Sequence, residues 1–218
     1  MPDRPPIRTF RTRGRMSDAK HDALVGLGPR YLLAEPDGPF DAPAAFGRAA
    51  PLVLDVGFGV GDATVTYAVA HPGHDVLAVE VHTPGIATLL RRLDDEGIAN
   101  VRVMRADAVE LLDLLAAGSL RAVHVFFPDP WPKQRHHRRR IVRPDVVARL
   151  VVLLEPGGVL HVATDWPDYA AHMRGVLTAE PGLSAPLDGR AGRAVTKYER
   201  LGLDAGRTIV DLRAARLS

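Results

Sequence analysis

From Leu52 onward, short β-rich runs alternate with helical patterns, and this rhythm constrains the fold more than any other feature of the chain. "LVLDVG", "DVLAVEV", "VRVMRA", "AVHVFF" and "VLHVATD" read as strands, near-continuously apolar as strands buried on both faces are. Between them "DATVTYAVAHP", "TPGIATLLRRLDDEG", "AVELLDLLAAG" and "RPDVVARLVVLLEPGG" carry helical signals, the second with proline in its first turn and glycine at its end. Five strands joined by four crossovers predict an α/β, Rossmann-like fold with a mostly parallel sheet and helices on both faces. Beyond them "WPDYAAHMRGVLTAE" predicts a helix, "PGLSAPLDGRAGRAV" a loop and "GRTIVDLRAA" a last strand. Ahead of this unit, six cations from Arg4 to Lys20 predict a flexible basic arm, and Ala34 to Pro51, dense in Pro, Gly and Ala, a connecting loop. The expected division is therefore 1–50 as arm and loop and 51–218 as the catalytic domain.

Composition excludes several chemistries. The 218 residues contain no cysteine, which removes disulfides, thiolate zinc sites and cysteine nucleophiles. A formal charge of +2 directs attention to where cations cluster rather than to their sum. No uncharged apolar run approaches a membrane span, so the expectation is a cytoplasmic protein with no membrane association.

"DVGFGVGD" ends the first strand and opens the first helix, where open parallel sheets place ligands. Gly57, Gly59 and Gly61 allow a sharp turn and close backbone approach. Asp62 stands where the dinucleotide fingerprint has a third glycine or alanine. Asp55 and Asp62 bracketing the turn disfavour a pyrophosphate. Glu80 ends the second strand, where a carboxylate can accept both ribose hydroxyls. Asp107 ends the third, facing an adenine edge or capping the next helix. An adenosine with a cationic, phosphate-free tail suits this set, and S-adenosyl-L-methionine is such a molecule.

"FFPDPWPKQRHHRRR" places Asp129 beyond the fourth strand in a loop stiffened by Pro128, Pro130 and Pro132. Lys133, Arg135, Arg138, Arg139, Arg140 and Arg143 follow within eleven residues and suit phosphate binding. Adjacent His136 and His137, with no carboxylate at ligand spacing, give no metal site. Trp131 and Trp166 each serve either a base stack or a buried anchor.

These segments together resemble the tRNA (guanine-N7-)-methyltransferase family. "RTFRTRGRM", "DVGFGVG", "FFPDPWPKQRHHRRRI" and "TKYERLG" carry the resemblance over nearly the whole chain. It implies a class I methyltransferase fold with a seven-stranded sheet ordered 3-2-1-4-5-7-6 and one antiparallel strand. It implies tRNA as partner, S-adenosylmethionine as cofactor and guanosine 46 of the variable loop as target. Asp55, Glu80, Asp107 and Asp129 match cofactor-contacting acids. Lys133, Asp165, Thr196 and Glu199 match positions associated with the guanosine, and Arg135 to Arg140 the RNA-contacting segment. Asp55 stands where many members have glutamate, and Tyr198 where many have phenylalanine.

Guanine N7 carries a lone pair and no proton, so the reaction requires no general base. Asp129 is expected as the catalytic group, facing the charge that develops on the purine, with Asp165 and Glu199 orienting the base. Three rivals remain open. A methyltransferase acting on an exocyclic amine would leave "TKYE" and the basic run unexplained. A nicotinamide-dependent dehydrogenase conflicts with Asp62, and a non-catalytic RNA-binding protein has no need of Glu80 or the glycines. Oligomeric state, monomer or homodimer, is left open.

Overall fold

Strands β2 (Leu52–Val56) and β3 (Asp75–Val79) are buried at every residue, as their unbroken apolar runs require of the centre of a parallel sheet. A computed structural model describes residues 16–218. The expected basic arm lies outside them for residues 4–15. Eight strands form one sheet, ordered β1-β4-β3-β2-β5-β6-β8-β7. Besides the two named, these are β1 (Leu32–Leu33), β4 (Val101–Met104), β5 (Leu120–Phe126), β6 (Leu154–Thr164), β7 (Leu187–Asp188) and β8 (Val210–Ala215). Strands β1 to β6 pair in parallel, and β8 runs antiparallel to both β6 and β7.

The expected seven-strand order is present from β4 to β7, and the correction is one further edge strand, β1, paired to β4. Helix α1 (Asp18–Tyr31) leads into it. Gly26, Gly28 and Pro29 conceal this helix in the sequence, because each weakens helical propensity. Packing overrides them: α1 lies along α4 (Thr83–Asp95), and Tyr31 is buried in the same apolar cluster as Leu89, Leu90 and Leu93. The stretch 34–51 is not loop throughout either, since α2 (Ala42–Phe46) is capped by Asp41, whose Oδ1 accepts from the Ala44 N–H at 3.0 Å.

Helices α1, α3 (Asp62–Ala70) and α4 cover one face, where Val53, Val76, Ala78 and Val103 point. The other face, with Leu54, Leu77, Val125 and Val162, is covered by α5 (Ala108–Leu111), α6 (Pro144–Leu153) and α7 (Pro167–Ala179). Helix α5 is shorter than expected. It tightens into a 3-10 turn over Leu112–Leu114, where the Phe40 N–H takes the Leu114 carbonyl at 2.7 Å. A last helix, α8 (Lys197–Asp204), occupies a stretch with no predicted element. None of the helices among the described residues is long and apolar enough to cross a membrane.

Candidate functional site

The carboxyl ends of the parallel strands open into a cleft of about 720 Å³. Gly57, Gly59, Glu80, Asp107, Asp129 and Asp165 line it together. At Gly59, φ is +63° and a Cβ would fall 2.6 Å from the Tyr198 ring, so the turn needs glycine on both conformational and steric grounds. Gly85, unremarked in the sequence, is required for the same approach from the far side: a Cβ there would meet the Gly59 carbonyl oxygen at 2.1 Å.

Three backbone N–H groups hold the Glu80 carboxylate. Oε2 accepts from Gly59 at 3.0 Å, and Oε1 from Val81 at 2.8 Å and His82 at 3.0 Å. Its orientation is thereby set before any ligand arrives. Asp107 combines its two expected placements, since Oδ1 caps α5 by accepting from the Val109 N–H at 2.9 Å while the residue lines the cleft.

Asp129 sits between two residues in the left-handed region, Phe127 at φ 53° and Trp131 at φ 45°. Such backbone costs about 1–3 kcal/mol per residue and persists only where the surroundings impose it. Here they do. The Phe127 N–H donates to the Ala163 carbonyl at 2.8 Å. Trp131 is buried, with the Arg139 guanidinium 4.9 Å over its ring and His136 at its edge, which settles it as an anchor. Arg140 is the main correction to the basic segment. Its side chain is 1% exposed, donates from Nε to the Pro130 carbonyl at 3.0 Å, pairs with Asp168 and lies 4.7 Å from the Tyr169 ring. A guanidinium so enclosed braces the loop from beneath and has no reach to a phosphate. Arg135 and Arg138 are exposed beside it on a 3-10 turn over Gln134–Arg139, and Lys133, exposed as well, precedes that turn.

Thr196 and Glu199, expected at the guanosine, hold α8 instead. Thr196 is the N-cap, its Oγ1 accepting from the Glu199 N–H at 3.2 Å. The Thr-x-x-Glu spacing of a capping box could have revealed this helix. The Glu199 carboxylate, fully buried, turns inward to Arg190 and to Arg193, the latter at 2.7 Å. Arg193 also makes a bidentate pair with Asp211 at 2.7 and 2.8 Å and lies over the Phe126 and Phe127 rings. Burial alone would raise the Asp211 carboxyl, but hydrogen bonds from Arg193 and His161 hold it well below the carboxylate range. Burial, followed by the neighbouring His161, His71 and Arg193 side chains, pushes His124 down to about 3, so that imidazole is neutral at pH 7.

Asp62 does not repel ligands at the turn. It pairs with Arg92 at 3.0 Å and accepts the Lys197 N–H at 2.7 Å, fastening the start of α8 to α3. Tyr198, next along α8, enters the cleft against Gly59. Its phenol is raised by burial, then by Glu80, Asp129 and Asp62, so it remains protonated. One turn later Gly202 lets α8 touch Asp165, which pairs with Arg207 at 2.5 Å.

Asp55 and Gly61 stand outside the cleft. Gly61 packs on Leu89, and Asp55 lies buried under the glycine turn, accepting from Thr64 Oγ1 at 2.6 Å. Burial first, then Glu80, raises the Asp55 carboxyl to about 6, against the opposing Thr64 bond. The folded state therefore binds this proton more tightly than the unfolded chain, and Asp55 withdraws stability as pH rises from about 4 to 6. Asp55→Asn, which keeps the bond from Thr64, should gain on the order of 1–3 kcal/mol at pH 7 and nothing below pH 4. Urea unfolding at both pH values measures this; an equal difference at the two would refute it.

Residues 49–212 match the family described as "Putative methyltransferase". The tRNA (guanine-N(7)-)-methyltransferase of Paracidovorax citrulli is 47% identical over 213 residues, covering 95% of this chain and 86% of that one. That of Burkholderia vietnamiensis is also 47% identical, over 94% of this chain and 83% of its own length. Among solved structures, the 16S rRNA methyltransferase KamB superposes with a TM-score of 0.61 at 19% identity, covering 87% of this chain and 99% of that one. An rRNA methylase from Streptococcus thermophilus gives 0.54 at 16% identity over 78% of this chain and 88% of its own. At these identities the structural likeness shows the fold.

Proposed function

The chain belongs to the tRNA (guanine-N(7)-)-methyltransferase family, and from that premise we propose that its cleft presents guanosine 46 of the tRNA variable loop for methylation, with Asp129 beside the reacting base. The reaction is transfer of a methyl group to guanine N7 in tRNA, with S-adenosyl-L-methionine as donor. The choice of nucleotide and the residue roles below are the proposal. The observation that supports them is the convergence of Glu80, Asp107, Asp129 and Asp165 on one cleft.

The donor set fits the cofactor. Glu80, fixed by three N–H groups, is placed to accept from ribose hydroxyls, and Asp107 to accept from the adenine amine. The N–H groups of Gly57, Gly59 and Gly61 are committed to Val79, Glu80 and Phe58, so these three do not wait for a pyrophosphate. When bound, S-adenosylmethionine supplies an electrophilic methyl on a sulfonium that departs as a neutral thioether. The chain's own residues position and stabilise. Asp165 accepts from the guanine N1–H and exocyclic amine, which leaves N7 free to point along the cleft. Positive charge grows on the purine as the bond forms, and the Asp129 carboxylate, already oriented by its constrained loop, stabilises it. No side chain need remove a proton, consistent with neutral His124 and protonated Tyr198.

Incubation with labelled S-adenosylmethionine and unmodified tRNA, followed by chain cleavage at 7-methylguanosine, tests the reading; label at another atom or nucleotide would refute it. Exposed Arg135 and Arg138 are assigned to phosphates. Replacing both with alanine should weaken tRNA binding at all sequences and reduce the slope of log affinity against log salt by about 1–2. An unchanged slope would remove them from the RNA interface.

A further inference from the structure

Arg207 is the cation that the cleft sets against its base-reading carboxylate. Its Nη1 donates to Asp165 Oδ2 at 2.5 Å, and its Cζ lies 5.8 Å from the Trp166 ring. It lines the cleft with Asp129, while 43% of its side chain remains exposed. Its place follows from backbone geometry. The Arg207 N–H donates to the Gly202 carbonyl at 2.9 Å, closing the turn after α8 through Gly206 at φ 72°. Gly202 in turn lets α8 lie against Asp165, since a Cβ there would fall 2.8 Å from Oδ2.

Resting on the guanine-N7 reading, we propose that Arg207 is a specificity-determining residue that donates to guanine O6 while Asp165 accepts from N1–H and the exocyclic amine. The pair offers a donor next to an acceptor. Guanine offers the complement, the O6 acceptor next to the N1–H donor, whereas adenine reverses both and would face donor with donor and acceptor with acceptor. A guanidinium has five N–H groups, so the bond from Nη1 to Asp165 leaves donors for O6. The pairing also answers an electrostatic objection. An uncompensated cation beside O6 would oppose the positive charge that methylation creates on the ring; coupled to Asp165 the guanidinium contributes almost no net charge there. Neither residue alone would read the base without cost, and the fold supplies both.

The test compares the unaltered protein with Arg207→Met on three tRNAs carrying guanosine, 6-thioguanosine or inosine at the target nucleotide. Product is counted only as N7 methylation. Sulfur is a poor acceptor, so the unaltered protein should lose about ten- to a hundred-fold in kcat/KM on 6-thioguanosine, and Arg207→Met, which has no donor, should lose about as much on guanosine. The sulfur penalty should then shrink to under about threefold in the variant, because the contact it probes is already gone. The inosine penalty, which reports the amine and Asp165, should be the same in both proteins. A full sulfur penalty in the variant would make Arg207 a phosphate contact and overturn the proposal, as would unchanged kcat/KM on guanosine. S-adenosylmethionine affinity should be unaltered, and its loss would mark Arg207 as a scaffold residue, overturning the assignment equally. Absence of N7 methylation by the unaltered protein would instead overturn the underlying reading of the reaction.

Discussion

Asp129→Ala should lower turnover on tRNA by about ten- to a thousand-fold, with S-adenosylmethionine and tRNA binding largely kept, the effect expected for the loss of one preorganised electrostatic group. On the proposed role the loss should fall on kcat, since the carboxylate would face charge that exists only as N7 becomes bonded. The fold underwrites this expectation. Asp129 is flanked by two non-glycine residues in the left-handed region and braced by the buried Arg140 and Trp131. Single-turnover rates with saturating cofactor measure the step directly. A rate within about twofold of the unaltered protein, a change of under 0.5 kcal/mol, would remove Asp129 from the reaction centre.

The second large effect is on stability. Arg193→Met leaves Glu199 and Asp211 buried without the guanidinium that serves both. Breaking such an arrangement from one side costs about 3–5 kcal/mol. For a chain of this size that corresponds to a fall in Tm of roughly 6–20 °C. Because the penalty lies in two buried carboxylates left with only Arg190 and His161 as partners, combining Arg193→Met with Glu199→Gln and Asp211→Asn should recover a good part of it. A thermal shift below about 2 °C for the single replacement, or no recovery in the triple, would show that the network contributes little to the fold.

The sheet was legible because its central strands are short, valine-bearing apolar runs bounded by turn signals and alternating with helical patterns, so length and residue type separate them from buried helix. Glu80, Asp107 and Asp129 were legible for a related reason: Glu80 follows directly on β3, Asp107 and Asp129 stand in the short turns just past β4 and β5, and strand ends converge in this architecture. What escaped depends on distant partners. Arg140 is one cation in a run of cations, and only Asp168 and Tyr169, far along the chain, draw it into the interior. Glu199 reads as a base-binding acid until Arg190 and Arg193 take its oxygens. Asp62 reads as a repulsive charge until Arg92 and the Lys197 N–H are seen to claim it. Helix α1 lay hidden behind two glycines and a proline, and only its packing on α4 restores it.

The fastening of α8 to the glycine turn has a thermodynamic corollary. Asp62 grips the first turn of α8, Tyr198 rests on Gly59, and Gly202 leans on Asp165, so α8 is one partition of the cleft in which the proposed function places both donor and base. Two ligands that share a partition are linked: whatever free energy the RNA gains from the donor's presence, the donor gains in equal measure from the RNA. Methylation alters both occupants at once, turning a sulfonium into a thioether and a neutral guanine into a cation. The carboxylates that faced a sulfonium then face a neutral thioether, so the spent donor is the product whose hold they lose, while the methylated base, now cationic, keeps their attraction.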